Sequence, residues 1–456
     1  MVTTGTTTAD IDSVIDTRAV GVVFQPILDL RTMQVAGLEA FVRGPAGSDL
    51  ESPGALFAAA AAVDRVAELD WAARAAAFRA VLDADLPPSL SIFVNTEPES
   101  LGTECPVDLR ADVGRAEAHL RVFVEVNDRA LVADPAGLVA AVDRARSMGW
   151  GIAVDDVGSG RAPIVLLPVV HADVVKVDLG LLREASQADA SAVLTATLRH
   201  VERTGAALCV ERIESEDDLW WARALGAVLG QGHHLAPPGP LPETLPAPRL
   251  PVPLVASEGD DAVSSPFELL DDLEPRRVEH RDFLDLARTL AFGSIAPGAA
   301  PVVLVGLGRS GFDPEVAASF PDGVAPVLYV MFGTGLSVGP VPGLRAVSVD
   351  PGDPLAGLEF LVSMNEKGGL ALLARALPDG DLELVLTQDR ERVHGIARHL
   401  VRRVPPPTGD GRALPPPVGD VDEAVIDDAP DGARPDGPRP DAGVEHARRG
   451  VFGRRR

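Results

Sequence analysis

Residues 151–160 read Gly151-Ile152-Ala153-Val154-Asp155-Asp156-Val157-Gly158-Ser159-Gly160, and a second apolar run follows about twenty residues on, Val174-Val175-Lys176-Val177-Asp178. Each run has the length and β-branched content of a buried strand, and each stops at charged groups. Paired carboxylates at a strand end hold hard cations, and a lysine at the next strand end can hold a water or a phosphate oxygen. Lys176 is one of two lysines among 41 Lys+Arg residues. A chain that otherwise writes its cations as arginine has kept a compact ammonium here instead of a planar fork. A chance surface lysine is the bland alternative, and the neighbouring strand ends decide between the two.

Those ends repeat the pattern. Apolar runs stop at Phe93-Val94-Asn95, Phe123-Val124-Glu125, Leu208-Cys209-Val210-Glu211 and Leu229-Gly230-Gln231, and an earlier one carries Leu38-Glu39. For any one of them a polar strand terminus meeting solvent is the default, but a whole series of metal-competent or proton-handling side chains is not. Alanine-rich helical stretches (55–82, 138–148, 190–204, 217–225) alternate with the runs, as βα units require. The first two runs, 22–30 and 34–42, are separated only by Arg31-Thr32-Met33. A parallel crossover needs a dozen or more residues, so these two pair as an antiparallel hairpin. The expected fold is α/β, a TIM-type (β/α)8 barrel modified by an antiparallel first hairpin, with its active site where the C-terminal strand ends converge.

Composition narrows the partners. A formal charge of −26 opposes binding to nucleic acid or to anionic membrane, so a polyanionic ligand must be met locally, by metal ions or single arginines. Cys105 and Cys209 make no disulfide framework, which fits a reducing cytoplasm. No stretch reads as a signal peptide or a membrane span. The expected division is a flexible N-terminus (1–18), the barrel (19–245), a Pro-rich linker (246–264), a second smaller α/β domain (265–404) and a disordered Pro/Asp/Gly-rich tail (405–456). Within the second domain, strands are expected at 301–306, 327–332, 370–376 and 382–387, with a closing amphipathic helix over 389–403. Gly306-Leu307-Gly308-Arg309-Ser310-Gly311 matches a dinucleotide-binding fingerprint in form, but the next strand ends without the acidic residue that a ribose needs. The adjacent His233-His234 point to opposite faces of a strand and cannot chelate one metal together. Trp220-Trp221 pack against the barrel or against a second copy in a homodimer.

Taken in order, Gln25-Pro26-Ile27, Glu39-Ala40-Phe41-Val42-Arg43, Val94-Asn95, Glu125-Val126-Asn127-Asp128, the 155–160 loop, Lys176-Val177-Asp178, Glu211-Arg212-Ile213-Glu214 and Gln231-Gly232 resemble the EAL family over about residues 20–245. The resemblance implies hydrolysis of cyclic di-GMP to the linear dinucleotide with two Mg²⁺ or Mn²⁺ ions. It implies that Glu39, Asn95, Glu125 and Asp155 hold one metal and that Asp156 helps hold the second. By the same resemblance Lys176 orients the attacking water, Glu211 is the general base or shares in metal binding, and Glu214 supports that arrangement. Gln25, Arg43 and Gln231 fall to substrate binding. Asp128 and Val157, where the family has Glu and Phe, fall to positioning the acidic loop, and Arg212, where the family has Gly, adds bulk and charge beside the base. Residues 265–404 resemble the DICT sensory domain, through Ser265-Pro266-Phe267-Glu268-Leu269 and Leu384 to Glu391; its ligand or protein partner is not readable. The alternative to the enzyme is a weakened barrel that captures cyclic di-GMP as a receptor.

Overall fold

The computed structural model describes residues 8–84, 86–158, 160–255, 263–294, 301–308, 326–336 and 343–406. All of them fall within one unit, Met1–Val418. The expected tail from residue 407 on and part of the expected linker, with Arg309 to Gly311 of the glycine-rich stretch, lie outside the described residues.

Eight strands close a barrel in sequence order: β1 (Gly21–Asp29), β2 (Gln34–Arg43), β3 (Ser91–Asn95), β4 (Arg121–Val126), β5 (Gly151–Val157), β6 (Val174–Asp178), β7 (Ala207–Glu211) and β8 (Leu229–Gly230). β1 runs antiparallel to both of its neighbours, β2 and β8, and the remaining pairs are parallel. The short 31–33 connection therefore reads as expected. Between strands the chain is helical. The first long helical stretch divides into Pro53–Ala62 and Val66–Asp83, where Asp64 takes a left-handed φ of 57° that a continuous helix cannot contain.

Side chains alternate across a strand, so each barrel strand sends every second residue inward. Ile27, Phe93, Phe123, Ala153, Val174, Cys209 and Leu229 form one apolar cluster inside the barrel, in which the Phe93 and Phe123 rings stack at 4.7 Å. Gly37 belongs to the same level, where a Cβ would come within 2.9 Å of the Phe93 ring. Two residues further along, on the same face, come Glu39, Asn95, Glu125, Asp155, Lys176, Glu211 and, just past β8, Gln231; on antiparallel β1 the corresponding residue is Gln25. The barrel thus carries one polar layer on an apolar floor.

The floor has a plug that the linker reading did not foresee. Val252 is 2 % exposed and belongs to the interior cluster, and its carbonyl accepts from Arg121 at 2.5 Å. The Val255 N–H donates to Asp173 Oδ1 at 2.7 Å. Residues 252–255 are therefore stapled along the barrel's lower end. A Pro-rich composition reports the missing helix and strand periodicity, not the missing contacts.

A second sheet has the order β12-β11-β10-β13-β14-β15-β9. Its strands are β9 (Arg276–Val278), β10 (Val302–Leu307), β11 (Leu328–Thr334), β12 (Leu344–Val349), β13 (Leu358–Asn365), β14 (Gly368–Ala376) and β15 (Leu382–Thr387). β10, β11 and β12 are parallel; β13, β14, β15 and β9 continue antiparallel. Strand–helix alternation, expected throughout, gives way after β12 to hairpins, because tight turns such as Glu366-Lys367 leave no room for a crossover. Gly306 serves packing, since a Cβ there would lie 2.2 Å from the Phe360 ring.

The closing helix, Arg390–Val401, lies against the barrel helices Pro135–Ser147 and Ala162–Val170. Arg398, 4 % exposed, donates to the Val169 carbonyl and pairs with Asp143, which also receives Arg402 at 3.0 Å. Apolar residues of the barrel and of the second sheet belong to one continuous cluster. Among the described residues no helix is long and apolar enough to cross a membrane.

Candidate active site

The polar layer converges on one ammonium. Lys176 Nζ lies 2.6 Å from Glu125 Oε1, 2.8 Å from Glu211 Oε1, 2.9 Å from Glu39 Oε2 and 3.4 Å from Asp155 Oδ1. It has essentially no exposed surface. Gln231 Nε2 donates to Glu39 Oε2 and to Gln25 Oε1, both at 2.8 Å, and Gln25 in turn donates to the Ala236 carbonyl at 3.1 Å. Asn95 Nδ2 reaches Glu39 Oε1 at 3.4 Å. Eight separate strands or strand ends, far apart in sequence, supply this cluster because each contributes the residue two beyond its apolar floor.

Four carboxylates crowd around one lysine, with Asp156 nearby as a fifth, and the charge does not balance. Burial alone would lower the Lys176 pKa, but Asp155, Glu125, Glu211 and Glu39 together hold it well above its usual range. Burial and then the Glu39 charge push Glu125 well up. Burial and then Asp155 do the same to Glu211. Asp156 is pushed up to about 7, again by burial and then by Asp155. For Asp155 burial works upward, yet the Lys176 ammonium and a hydrogen bond with Glu211 hold it below the ordinary carboxylate range. Without further positive charge, this cluster therefore retains protons on several acids.

The donors fit a divalent cation. Oxygens of Glu39, Glu125 and Asp155 lie within 4.8 Å of one another, the one such acidic group found among the described residues. Glu125 Oε2 is buried without a hydrogen-bond partner, and Glu125 Oε1 and Asp155 Oδ1 are faced by the single Lys176 ammonium. Buried carboxylate oxygens in that state are stabilised by a metal, and an all-oxygen set with one amide suits Mg²⁺ or Mn²⁺ over zinc.

Other expected residues are placed less centrally. Asp156 stands at a break in the β5–β6 register and adopts φ 57°, a bulge inside β5 after which Val157 pairs with Val177 again. Arg43 is at the end of β2, one period of two beyond Phe41 and two beyond Glu39, and its Nη1 donates to the Val42 carbonyl at 3.0 Å. Glu214 is exposed; its N–H donates to Asp218 Oδ2 at 3.0 Å, and its side chain takes no part in the network around Lys176. Val157 is wholly buried and pairs with Val177. Asp128 opens the short helix Asp128–Ala133, where burial raises its pKa against the opposing Arg129 charge. Arg212 turns from the site: with φ 53°, a conformation suited to glycine, it pairs through Nε with Asp178 Oδ2 at 2.7 Å. His233 and His234 are both exposed at the rim, and His234 meets Glu216 at 3.2 Å. Trp221 packs on the core while Trp220 is 69 % exposed.

Sequence reasoning missed Arg129 and Glu97. Arg129 Nη2 lies 3.5 Å from Glu97 Oε2, and its charge opposes the upward push on Glu97, Asp128 and Asp156. Nothing in the sequence joins residues 97 and 129; the adjacency of β3 and β4 does.

Comparison with known proteins gives the same region a family. The chain is 26% identical over 235 residues to the probable cyclic di-GMP phosphodiesterase PdeN of Escherichia coli (strain K12), covering 48% of this chain and 43% of that protein. It is 29% identical over 238 residues to the cyclic di-GMP phosphodiesterase PA2567 of Pseudomonas aeruginosa, covering 49% and 39%. The chain thus spans about two fifths of the length of these curated relatives. Among solved structures, the manganese/cyclic di-GMP complex of Klebsiella pneumoniae BlrP1 at pH 9.0 aligns at 27% identity and TM-score 0.40, over 47% of this chain and 54% of that one. The EAL domain profile matches residues 9–238, just over half of the chain, which therefore belongs to the EAL domain family.

Proposed function

We propose that this protein is a metal-dependent phosphodiesterase that hydrolyses cyclic di-GMP to the linear dinucleotide. The observation that carries the reading is the polar layer itself, in which carboxylates from separate strands meet Lys176 at the mouth of a closed barrel. The two relatives named as cyclic di-GMP phosphodiesterases support it from outside the geometry.

A phosphodiester is a poor electrophile, and a pair of Mg²⁺ or Mn²⁺ ions would supply Lewis acidity and a nucleophilic water at neutral pH. In this reading Glu39, Asn95, Glu125 and Asp155 hold one ion and Asp156 helps hold the other. Lys176, fixed by its carboxylates, presents an ammonium to the attacking water. Glu211, whose Oε1 lies 2.8 Å from Lys176 Nζ, would take the proton from that water or share in metal binding. Gln231 fixes the Glu39 carboxylate, and Gln25 fixes Gln231. Arg43 offers a guanidinium fork to a substrate phosphate. The exposed Glu214 is reserved for a supporting role at the rim. Residues 265–404 form a DICT-like sensory module that regulates the barrel, and the whole works in the cytoplasm.

Incubating the purified protein with cyclic di-GMP and Mn²⁺ should yield the linear dinucleotide, and EDTA or Asp155→Ala should abolish it. Tight binding of cyclic di-GMP without any linear product would replace the enzyme with the receptor.

A further inference from the structure

The loop that carries Asp155 and Asp156 is anchored at one end by the buried Val157, which pairs with Val177. Asp156 is left-handed, and Gly158 and Gly160 both take φ 150°, a region that L side chains rarely enter. At its other end, its path depends on where it lands. The landing residue is Arg161, which precedes the helix Ala162–Val170, a helix whose N-terminus has no side-chain cap.

Arg161 is held from two sides. Its Nε donates to Asp189 Oδ1 at 2.9 Å, in the first turn of the barrel helix Gln187–Thr204. Its Nη1 donates to Glu366 Oε1 at 3.0 Å, at the tip of the β13–β14 hairpin of the second sheet. The two contacts differ in weight, because the Asp189 side chain is 40% exposed and that of Glu366 only 3%. Exposed ion pairs contribute little, whereas unpairing a buried charge is costly.

Glu366 is itself fixed. Asn365 Oδ1 accepts from the N–H groups of Lys367 and Gly368 at 2.9 and 3.2 Å, which shapes the two-residue turn. The Glu366 carbonyl accepts from Arg199 of the barrel at 2.9 Å, and the Lys367 carbonyl from Arg390 at 2.7 Å. The hairpin tip is thus clamped on both carbonyls while its carboxylate grips the end of the acidic loop.

We propose that Glu366 is a positioning residue for the metal-binding loop, acting through Arg161, so that the second sheet sets how well Asp155 and Asp156 are placed for cations. This rests on the reading that those two aspartates are metal ligands. Whatever shifts the β13–β14 hairpin then changes the barrel's metal affinity.

Glu366→Gln keeps the shape of the side chain and removes its charge. It should raise the Mn²⁺ concentration for half-saturation, read by calorimetry without substrate, by roughly fivefold or more, a low value for coupling between sites. Amide exchange in peptides covering Asp155 to Gly158 should quicken, Glu366→Asp should restore part of both, and kcat should recover at saturating Mn²⁺. Arg402→Ala, which breaks the neighbouring contact with Asp143 away from the loop, should change neither. Wild-type isotherms and exchange in Glu366→Gln, or equal effects from Arg402→Ala, would overturn the proposal. Because binding and exchange are read without cyclic di-GMP, a protein that binds Mn²⁺ but never cleaves it refutes the proposed function alone. Wild type that binds no Mn²⁺ refutes both.

Discussion

At the scale of single residues, the decisive quantity is charge in a space with almost no water. Lys176 neutralises part of a ring of acids, and removing one partner of a buried ion pair costs about 3–5 kcal/mol when the other charges stay behind. Lys176→Met should therefore lower the melting temperature strongly in EDTA and much less in Mn²⁺, which supplies the missing positive charge. Glu39→Ala should do the reverse: it relieves repulsion, so the metal-free protein melts near wild type, but Mn²⁺ stabilises it little and turnover is lost. Thermal melts of both variants with and without Mn²⁺ test this, and a Lys176→Met protein that melts like wild type in EDTA would show that the ammonium compensates nothing. The sequence singled out Glu39, Asn95, Glu125, Asp155, Lys176, Glu211 and Gln231 because each stands where an apolar run stops and because their order resembles the EAL family; the barrel then shows them on one inner face. It could not place Glu214 or Arg212, whose side-chain directions depend on a left-handed turn just past β7.

At the scale of elements, the seam between the barrel helix Gln187–Thr204 and the closing helix Arg390–Val401 gathers imidazoles among cations. Burial, then Arg203 and His171, lowers the His200 pKa to about 4. Burial, then Arg203, His200, His171 and Arg390, lowers that of His394 to about 3. In the unfolded chain both titrate near their ordinary 6.5, so between that value and their folded ones the unfolded state binds more protons. Stability from these groups is complete above about pH 6.5 and is lost as the pH falls toward 4. The melting temperature should drop by several degrees between pH 7.5 and 5, and His394→Gln should flatten that slope. Parallel pH curves for the two proteins would mean that the seam does not exclude the charged imidazole. Neither histidine stood out in the sequence, since nothing local tells a buried imidazole from an exposed one.

For the whole molecule, the barrel is closed from below by a segment with no regular structure. Val252 fills the apolar floor, so Val252→Asp would bury a carboxylate against Ile27, Phe93 and Phe123, where the Arg121 guanidinium offsets only part of its lost hydration. That should destabilise the protein by about 2 kcal/mol or more, read from denaturant midpoints at constant m-value. A free linker would leave the midpoint unchanged.

What the sequence determined by itself was local and periodic: an antiparallel first hairpin forced by a three-residue connection, βα alternation, and a recurring polar residue where an apolar run stops. These follow from backbone geometry and need no knowledge of what lies across the fold. Tertiary structure alone decided the charge state of the acids, the plug at Val252, the Arg129–Glu97 pair and the grip of Glu366 on Arg161. Each depends on how deeply a group is buried and on partners from distant segments, and burial is fixed only when the barrel closes and the second sheet packs against it.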